Sequence, residues 1–254
     1  MDTGSDNCIF AVTAIEEELK NFSGLRKSVP IIDGKDLEEN GKAVEVFSPA
    51  DLSLKVGEVV FATEKQVLES LSAAQRGFKR WQFSAVEERA VILEKAADLI
   101  EKERGKFFTL LIRECGKVIS DAVAEVKKTT SLLRYYAALA RKELIEPIKL
   151  PGPSGEENYM YFESRGVFVC ISPWNFPLAI FLGPVAAALV TGNAVVAKPA
   201  EQTSIVAYEA VKLLYRAGVP RDVLHFIPGW GEVLGETLVN SDQIAGVVFT
   251  GSTE

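Results

Sequence analysis

The apolar positions of this 254-residue chain change their period twice. Around residues 44–47 and 56–61 apolar and polar side chains alternate, with Ser48-Pro49-Ala50-Asp51 between them, so strand, turn and strand are predicted. From Thr63 the period lengthens. Thr63 and Gln66 have the spacing of a capping box, and Val67, Leu71, Ala74, Phe78 and Trp81 follow at alternating intervals of four and three, the buried stripe of an amphipathic helix. Ser84 and Glu87 repeat the capping signal ahead of Val86, Ala90, Leu93, Ala97 and Ile100. A shorter helix is predicted from about Lys106 to near Gly116. A fourth follows Ser120, with Ala122, Val126, Thr129, Leu133, Tyr136 and Ala140 turned inward.

Glu146-Pro147 ends this helical layer, and Pro151-Gly152-Pro153-Ser154-Gly155 reads as the tip of an extended hairpin returning over 158–165. Tyr159, Met160, Tyr161 and Phe162 put apolar side chains on both faces of the return strand. Either a second copy of the chain or the hairpin's own domain covers them. From Gly166 strands and helices alternate: strands at 166–171, 193–197, 223–227 and 245–249, helices at 178–190, 205–217 and 232–240. Short β-rich runs linked by helices imply right-handed crossovers and a parallel sheet covered on both faces. Ligands of such α/β sheets bind beyond the carboxyl ends of the strands. Residues 1–26 are weakly patterned and expected to be peripheral.

Composition narrows the function classes. With 48% hydrophobic and 25% charged residues the chain has the make-up of a globular protein with a sizeable core. A net charge of -7 and a pI near 5.1 argue against a general nucleic-acid or anionic-membrane surface, which needs positive potential. Cys8, Cys115 and Cys170 lack metal-site spacing and His225 is the single histidine, so no metal site is expected. The first twenty residues carry acids where a secretory leader carries bases, and no apolar run reaches the roughly 20 residues that span a bilayer. A reducing, cytoplasmic setting and no integral membrane segment are expected.

Each strand end carries candidate chemistry. After the first stands Ser172-Pro173-Trp174-Asn175-Phe176-Pro177, a loop stiffened by two prolines. Its Asn175 carboxamide reads either as a neutral donor to an oxyanion or as a helix cap. After the second, Lys198 and Glu201 suit a ribose, with the carboxylate accepting from a 2'-hydroxyl and repelling a 2'-phosphate, or form a surface ion pair. After the third, Gly229-Trp230-Gly231 with Gly235 allows close approach of a pyrophosphate, although the spacing is not G-x-G-x-x-G. Thr250-Gly251-Ser252-Thr253 follows the fourth. Four strand ends equipped for a nucleotide or an oxyanion point to a dinucleotide.

The stretches 171–177, Gly192-Asn193 into Ala197-Lys198-Pro199-Ala200-Glu201-Gln202-Thr203, and Phe249-Thr250-Gly251-Ser252-Thr253-Glu254 resemble the aldehyde dehydrogenase superfamily. Together with Arg134-Tyr135-Tyr136-Ala137-Ala138, the wording is most similar to Δ1-pyrroline-5-carboxylate dehydrogenases, including the module of bifunctional proline utilization proteins. The resemblance implies an α/β fold: a Rossmann-like parallel sheet covered by helices, preceded by a helical layer, with a β-hairpin oligomerisation arm. It divides the chain into a peripheral segment 1–26, a helical part 27–146, the arm 147–165 and an NAD-binding part 166–254, without the catalytic domain.

The resemblance also implies roles by position: Asn175 for the oxyanion, Lys198 and Glu201 for the adenosine ribose, Ser252 for the pyrophosphate, and Gly229 and Gly231 beneath the adenine. Ser172, Pro173 and Trp174 join the cofactor site, while Phe176 and, as a weaker transfer, Glu125 mark the substrate passage. Trp230 stands where the bacterial module has an arginine. NAD is the implied cofactor and L-glutamate gamma-semialdehyde the implied substrate, with a homo-oligomer and a flavin-dependent proline dehydrogenase module as implied partners. Another semialdehyde, or a nucleotide-binding relative without catalysis, is the alternative.

The family's nucleophilic cysteine and general-base glutamate lie downstream of its Gly-Ser-Thr-Glu motif, on which this chain stops. Cys170 falls within a strand, Cys115 at a helix C-terminus and Cys8 in the unpatterned start, and His225 reads as a core histidine. The chain is therefore expected to be inactive alone and to expose apolar surface.

Overall fold

The computed structural model describes residues 15, 16, 19, 25–38 and 43–252; Cys8, Thr253 and Glu254 lie outside them. Its central feature is a six-stranded sheet. In chain order the strands β1 (Arg26–Ser28), β2 (Ile31–Ile32), β3 (Lys35–Asp36), β4 (Ala43–Ser48) and β5 (Asp51–Val60) come first. Then follow the helices α1 (Glu64–Trp81), α2 (Val86–Lys102), α3 (Arg104–Arg113) and α4 (Ile119–Leu144), and the hairpin of β6 (Ile148–Leu150) and β7 (Asn158–Met160). The alternating part is β8 (Val167–Ile171), α5 (Ala179–Val190), β9 (Ala194–Lys198), α6 (Ser204–Ala217), β10 (Leu224–Phe226), α7 (Gly231–Val239) and β11 (Gly246–Phe249).

The large sheet has the order β11-β8-β9-β10-β2-β3. The first four strands are parallel, and β2 joins β10 antiparallel. The chain steps outward from β8 through β9 to β10 and then crosses back to place β11 on the other side of β8. The order therefore reverses between β8 and β11, where a crevice opens at the carboxyl ends. Every residue of β9 is buried, as its continuous apolar run requires of a central strand. Helices α5 and α6 pack against α2, α3 and α4, while α1 packs on the sheet and against α7. Gly77 lets α1 approach the turn before β10, since a Cβ there would sit 1.9 Å from the Asp222 carbonyl oxygen.

Several local expectations differ in the structure. The segment 26–36 forms three short strands for which the sequence reading named no element; runs of two or three residues are too short to show alternation. The return strand of the hairpin ends at Met160. Helix α2 starts after Ala85 without a side-chain cap, because the Ser84 hydroxyl donates to the Trp81 carbonyl and accepts from Arg89. The Thr63–Gln66 capping box forms as expected.

The helical layer clamps α5 at both ends. Trp81 Nε1 donates to the Leu189 carbonyl at 3.0 Å and Arg89 Nε to the Val190 carbonyl at 2.8 Å, a cation at the negative end of the helix. Burial holds the Arg89 guanidinium below its usual pKa. At the other end the Glu125 carboxylate accepts from the amides of Leu178 and Ala179 at 2.8 and 3.1 Å. Arg134, in the Arg-Tyr-Tyr-Ala-Ala run, ties α4 to α2 through Glu101 and Asp98. Asn193 accepts from the amides of Arg165 and Gly166, fixing the chain as it enters β8.

Candidate active site

A cleft of about 940 Å³ lies in the crevice at the carboxyl ends of β8, β9 and β11. It gathers Ser172, Pro173, Trp174, Asn175 and Phe176 from behind β8, and Lys198 and Glu201 from the end of β9 and the turn after it. Gly231 comes from the start of α7 and Ser252 from behind β11. Thus nine of the sequence-predicted positions share one wall. The sequence reading did not single out Ile180 or Glu232, which also line the cleft.

Two predicted positions lie elsewhere. Gly229 packs inward, where an added Cβ would sit 2.4 Å from Leu234 Cδ1, so its lack of a side chain serves packing. Glu125 lies behind the loop that follows β8. Its second carboxylate oxygen pairs with Lys117 Nζ at 2.9 Å, and the Lys117 ammonium stands 4.4 Å from the centre of the Phe176 ring. Glu125 thus does not line the cleft and adjoins it through Lys117 and Phe176 and through the Leu178 and Ala179 amides.

The donors in the cleft fit a polar, hydroxyl-rich ligand. Ser172 is buried, and its Oγ has no hydrogen-bond partner. Lys198, 3% exposed, donates to the Pro199 carbonyl at 3.2 Å and stands 4.0 Å from Glu201. Burial holds its ammonium below the usual lysine pKa, partly offset by Glu201. An ammonium with one protein hydrogen bond retains donor capacity for a ligand. Trp230 packs edge-on against Phe61, with ring centres 5.4 Å apart, and helix α7 after it has no side-chain cap. By contrast, the first amides of α6 are taken by Glu114, which accepts from Ile205 and Val206 at 2.7 and 2.8 Å. Burial outweighs those bonds and pushes the Glu114 carboxyl up to about 8.

Neither described cysteine is poised as a nucleophile. Cys170 is buried within β8, and desolvation pushes its thiol up to about 12. Cys115 is likewise raised well above its ordinary pKa by burial and then by the nearby Glu114 and Glu125. His225 Nδ1 accepts from the Asp33 amide and Nε2 contacts the Asp222 carbonyl; burial lowers its pKa to about 4, so the ring is a neutral core group.

A switch-point crevice in a parallel sheet, with an asparagine loop, a buried lysine and a small-residue turn, defines an α/β protein with its ligand site at the carboxyl ends of the strands. The aldehyde dehydrogenase family matches residues 37–254, and the chain belongs to that family. It is 42% identical over 214 residues to the bifunctional protein PutA of Escherichia coli (strain K12), an alignment covering 84% of this chain and 15% of that protein. It is 36% identical over 248 residues to 1-pyrroline-5-carboxylate dehydrogenase 2 of Bacillus subtilis (strain 168), covering 96% of this chain and 47% of the relative. The structure of a Thermus 1-pyrroline-5-carboxylate dehydrogenase with bound NAD superposes with a TM-score of 0.86 at 31% identity, covering 92% of this chain and 46% of that one. The chain thus spans about half the length of these dehydrogenases and a smaller share of PutA. Among the described residues no helix is long and apolar enough to cross a membrane.

Proposed function

We propose that this chain is the NAD-binding portion of an aldehyde dehydrogenase that oxidises L-glutamate gamma-semialdehyde, the open form of Δ1-pyrroline-5-carboxylate, to L-glutamate. The observation that carries the reading is the convergence of the Ser172 hydroxyl, the buried Lys198 ammonium and the Glu201 carboxylate on the switch-point crevice. The likeness to a 1-pyrroline-5-carboxylate dehydrogenase solved with NAD supports both cofactor and substrate.

When bound, NAD supplies a hydride acceptor. Lys198 donates to ribose hydroxyls, and Glu201 accepts from them and repels a 2'-phosphate, which favours NAD over NADP. Ser172, Ser252 and the uncapped first turn of α7 offer donors to the pyrophosphate. The Asn175 carboxamide, in a loop stiffened by Pro173 and Pro177, stabilises negative charge developing on the aldehyde oxygen. Trp174 and Phe176 line the passages, and Glu125 acts from behind them. Cys170 is buried and Cys115 half-buried, and both thiols are hard to ionise, so neither serves as the nucleophile and the chain alone is expected to make no NADH.

Likeness to bifunctional PutA supports a flavin-dependent proline dehydrogenase module in the same natural chain. The β6–β7 hairpin keeps Tyr159, Met160, Tyr161 and Phe162 each more than a third exposed, so its own domain does not cover them. That apolar arm supports self-association.

The test is turnover by the natural, full-length protein that carries this sequence. NADH production from L-glutamate gamma-semialdehyde with higher kcat/KM than from succinic or aliphatic semialdehydes is expected. Preference for another semialdehyde would overturn the substrate assignment, and NAD binding without turnover would make the protein a non-catalytic relative.

A further inference from the structure

The loop that carries Asn175 is held from behind by residues that do not line the cleft. Leu178, at the N-cap of α5, has no side chain able to cap the helix. The Glu125 carboxylate, fully buried and 53 residues away in sequence, takes over by accepting from the Leu178 amide at 2.8 Å; the same oxygen accepts from Ala179. Its other oxygen meets the Lys117 ammonium at 2.9 Å. Lys117 then lies 4.4 Å from the centre of the Phe176 ring, with the Lys128 ammonium at 5.5 Å from the same ring. Cations so placed are attracted to the ring face. The loop is therefore pinned on the helix side at Leu178 and Ala179 and on the ring side at Phe176. Asn175 immediately precedes these anchors and is next to Phe176, with proline fixing φ on either side of it at 173 and 177.

We propose that Glu125 and Lys117 are positioning residues that set the aldehyde side of the cleft, Glu125 by holding the start of α5 and Lys117 by relaying that hold to Phe176. The proposal rests on the reading of Asn175 as the oxyanion donor. It gives Glu125 a role through the loop in place of direct contact with the substrate. A carboxamide aimed at a developing oxyanion tolerates little displacement, so loosening either anchor weakens the chemical step more than cofactor binding.

The experiment uses the natural, full-length protein with Glu125→Ala, Glu125→Gln and Lys117→Met. Three readouts are taken: kcat and KM for the aldehyde, the NAD Kd by calorimetry, and Trp174 emission, obtained by difference from Trp174→Phe. Glu125→Ala and Lys117→Met are expected to lower aldehyde kcat by about tenfold and to shift Trp174 emission, with the NAD Kd within about twofold of wild type. Glu125→Gln, which keeps an oxygen for the two amides, is expected to restore most of the kcat. Wild-type kcat and emission in both Glu125→Ala and Lys117→Met would overturn the proposal. So would equal losses of NAD affinity and kcat with no rescue by Gln, the pattern of a residue that merely stabilises the fold. Should Glu125→Ala fail to fold, Lys117→Met decides. If the wild type binds no NAD, the reading of the cleft fails, while the Trp174 shift still reports whether the loop is anchored as proposed.

Discussion

The Lys198 ammonium and the Glu201 carboxylate stand 4.0 Å apart, with Lys198 almost wholly buried at the end of β9. At that distance, and with the lysine desolvated, the pair is too loose to satisfy either charge by itself. A ligand hydroxyl bridging the two would complete it, as the proposed ribose contact requires.

Replacing Lys198 by Ala is accordingly expected to weaken NAD binding by about tenfold or more, the loss of a charged hydrogen bond. Replacing Glu201 by Gln removes the repulsion of a 2'-phosphate and brings the affinities for NADP and NAD closer together. Titration calorimetry with both nucleotides checks the pair of outcomes. Unchanged selectivity in Glu201→Gln would remove Glu201 from the ribose site.

Two buried groups give stability opposite pH dependences. Glu114 titrates at about 8 in the native protein against an ordinary 4.5, so the native state holds its proton more tightly than the unfolded chain. Its contribution is complete below about pH 4.5 and is lost as pH rises towards 8. His225 titrates at about 4 against 6.5; the unfolded chain takes up that proton first, so stability is lost as pH falls from 6.5 towards 4, by roughly 3 kcal/mol in all. Thermal melts across pH are expected to show a flatter alkaline branch in Glu114→Gln and a flatter acid branch in His225→Gln. Slopes identical to wild type would contradict the assignments.

Iodoacetamide at pH 8 is expected to leave Cys115 and Cys170 unmodified in the native chain and to alkylate both in denaturant. Both thiols are raised by burial, so almost no thiolate is present. Peptide mass mapping reads the result. Rapid alkylation of native Cys115 would show a reactive thiol where none is expected.

The hairpin arm is the surface expected to join copies of the chain. Tyr161→Glu combined with Phe162→Glu places charges on the exposed apolar stretch after β7, and light scattering is expected to show a lower mass than wild type. An unchanged mass would put the subunit contact elsewhere.

How much of this was legible in the sequence depends on how far apart the interacting groups lie. The Thr63–Gln66 box and the stripe of α1 were legible because their partners are three or four residues apart. The strand–helix alternation after Gly166 was legible too, and with it the strand ends that meet in the cleft. Glu125 and Glu114 bond to amides 53 and 91 residues further on, and Arg89 bonds to a carbonyl 101 residues away. No local pattern marks such a helix cap. The inward packing of Gly229 against Leu234 was also hidden, since a Gly-x-Gly spacing does not show which glycine faces a neighbouring side chain.

The most direct test of the central claim is a fluorescence titration of the protein with NAD, because Trp174 and Trp230 both line or flank the cleft while Trp81 is buried in the helical layer. The account predicts saturable quenching by NAD, with NADP binding weaker by about tenfold, and loss of most of the quenching in Trp174→Phe. No saturable change with NAD, or equal affinity for NADP, would contradict it.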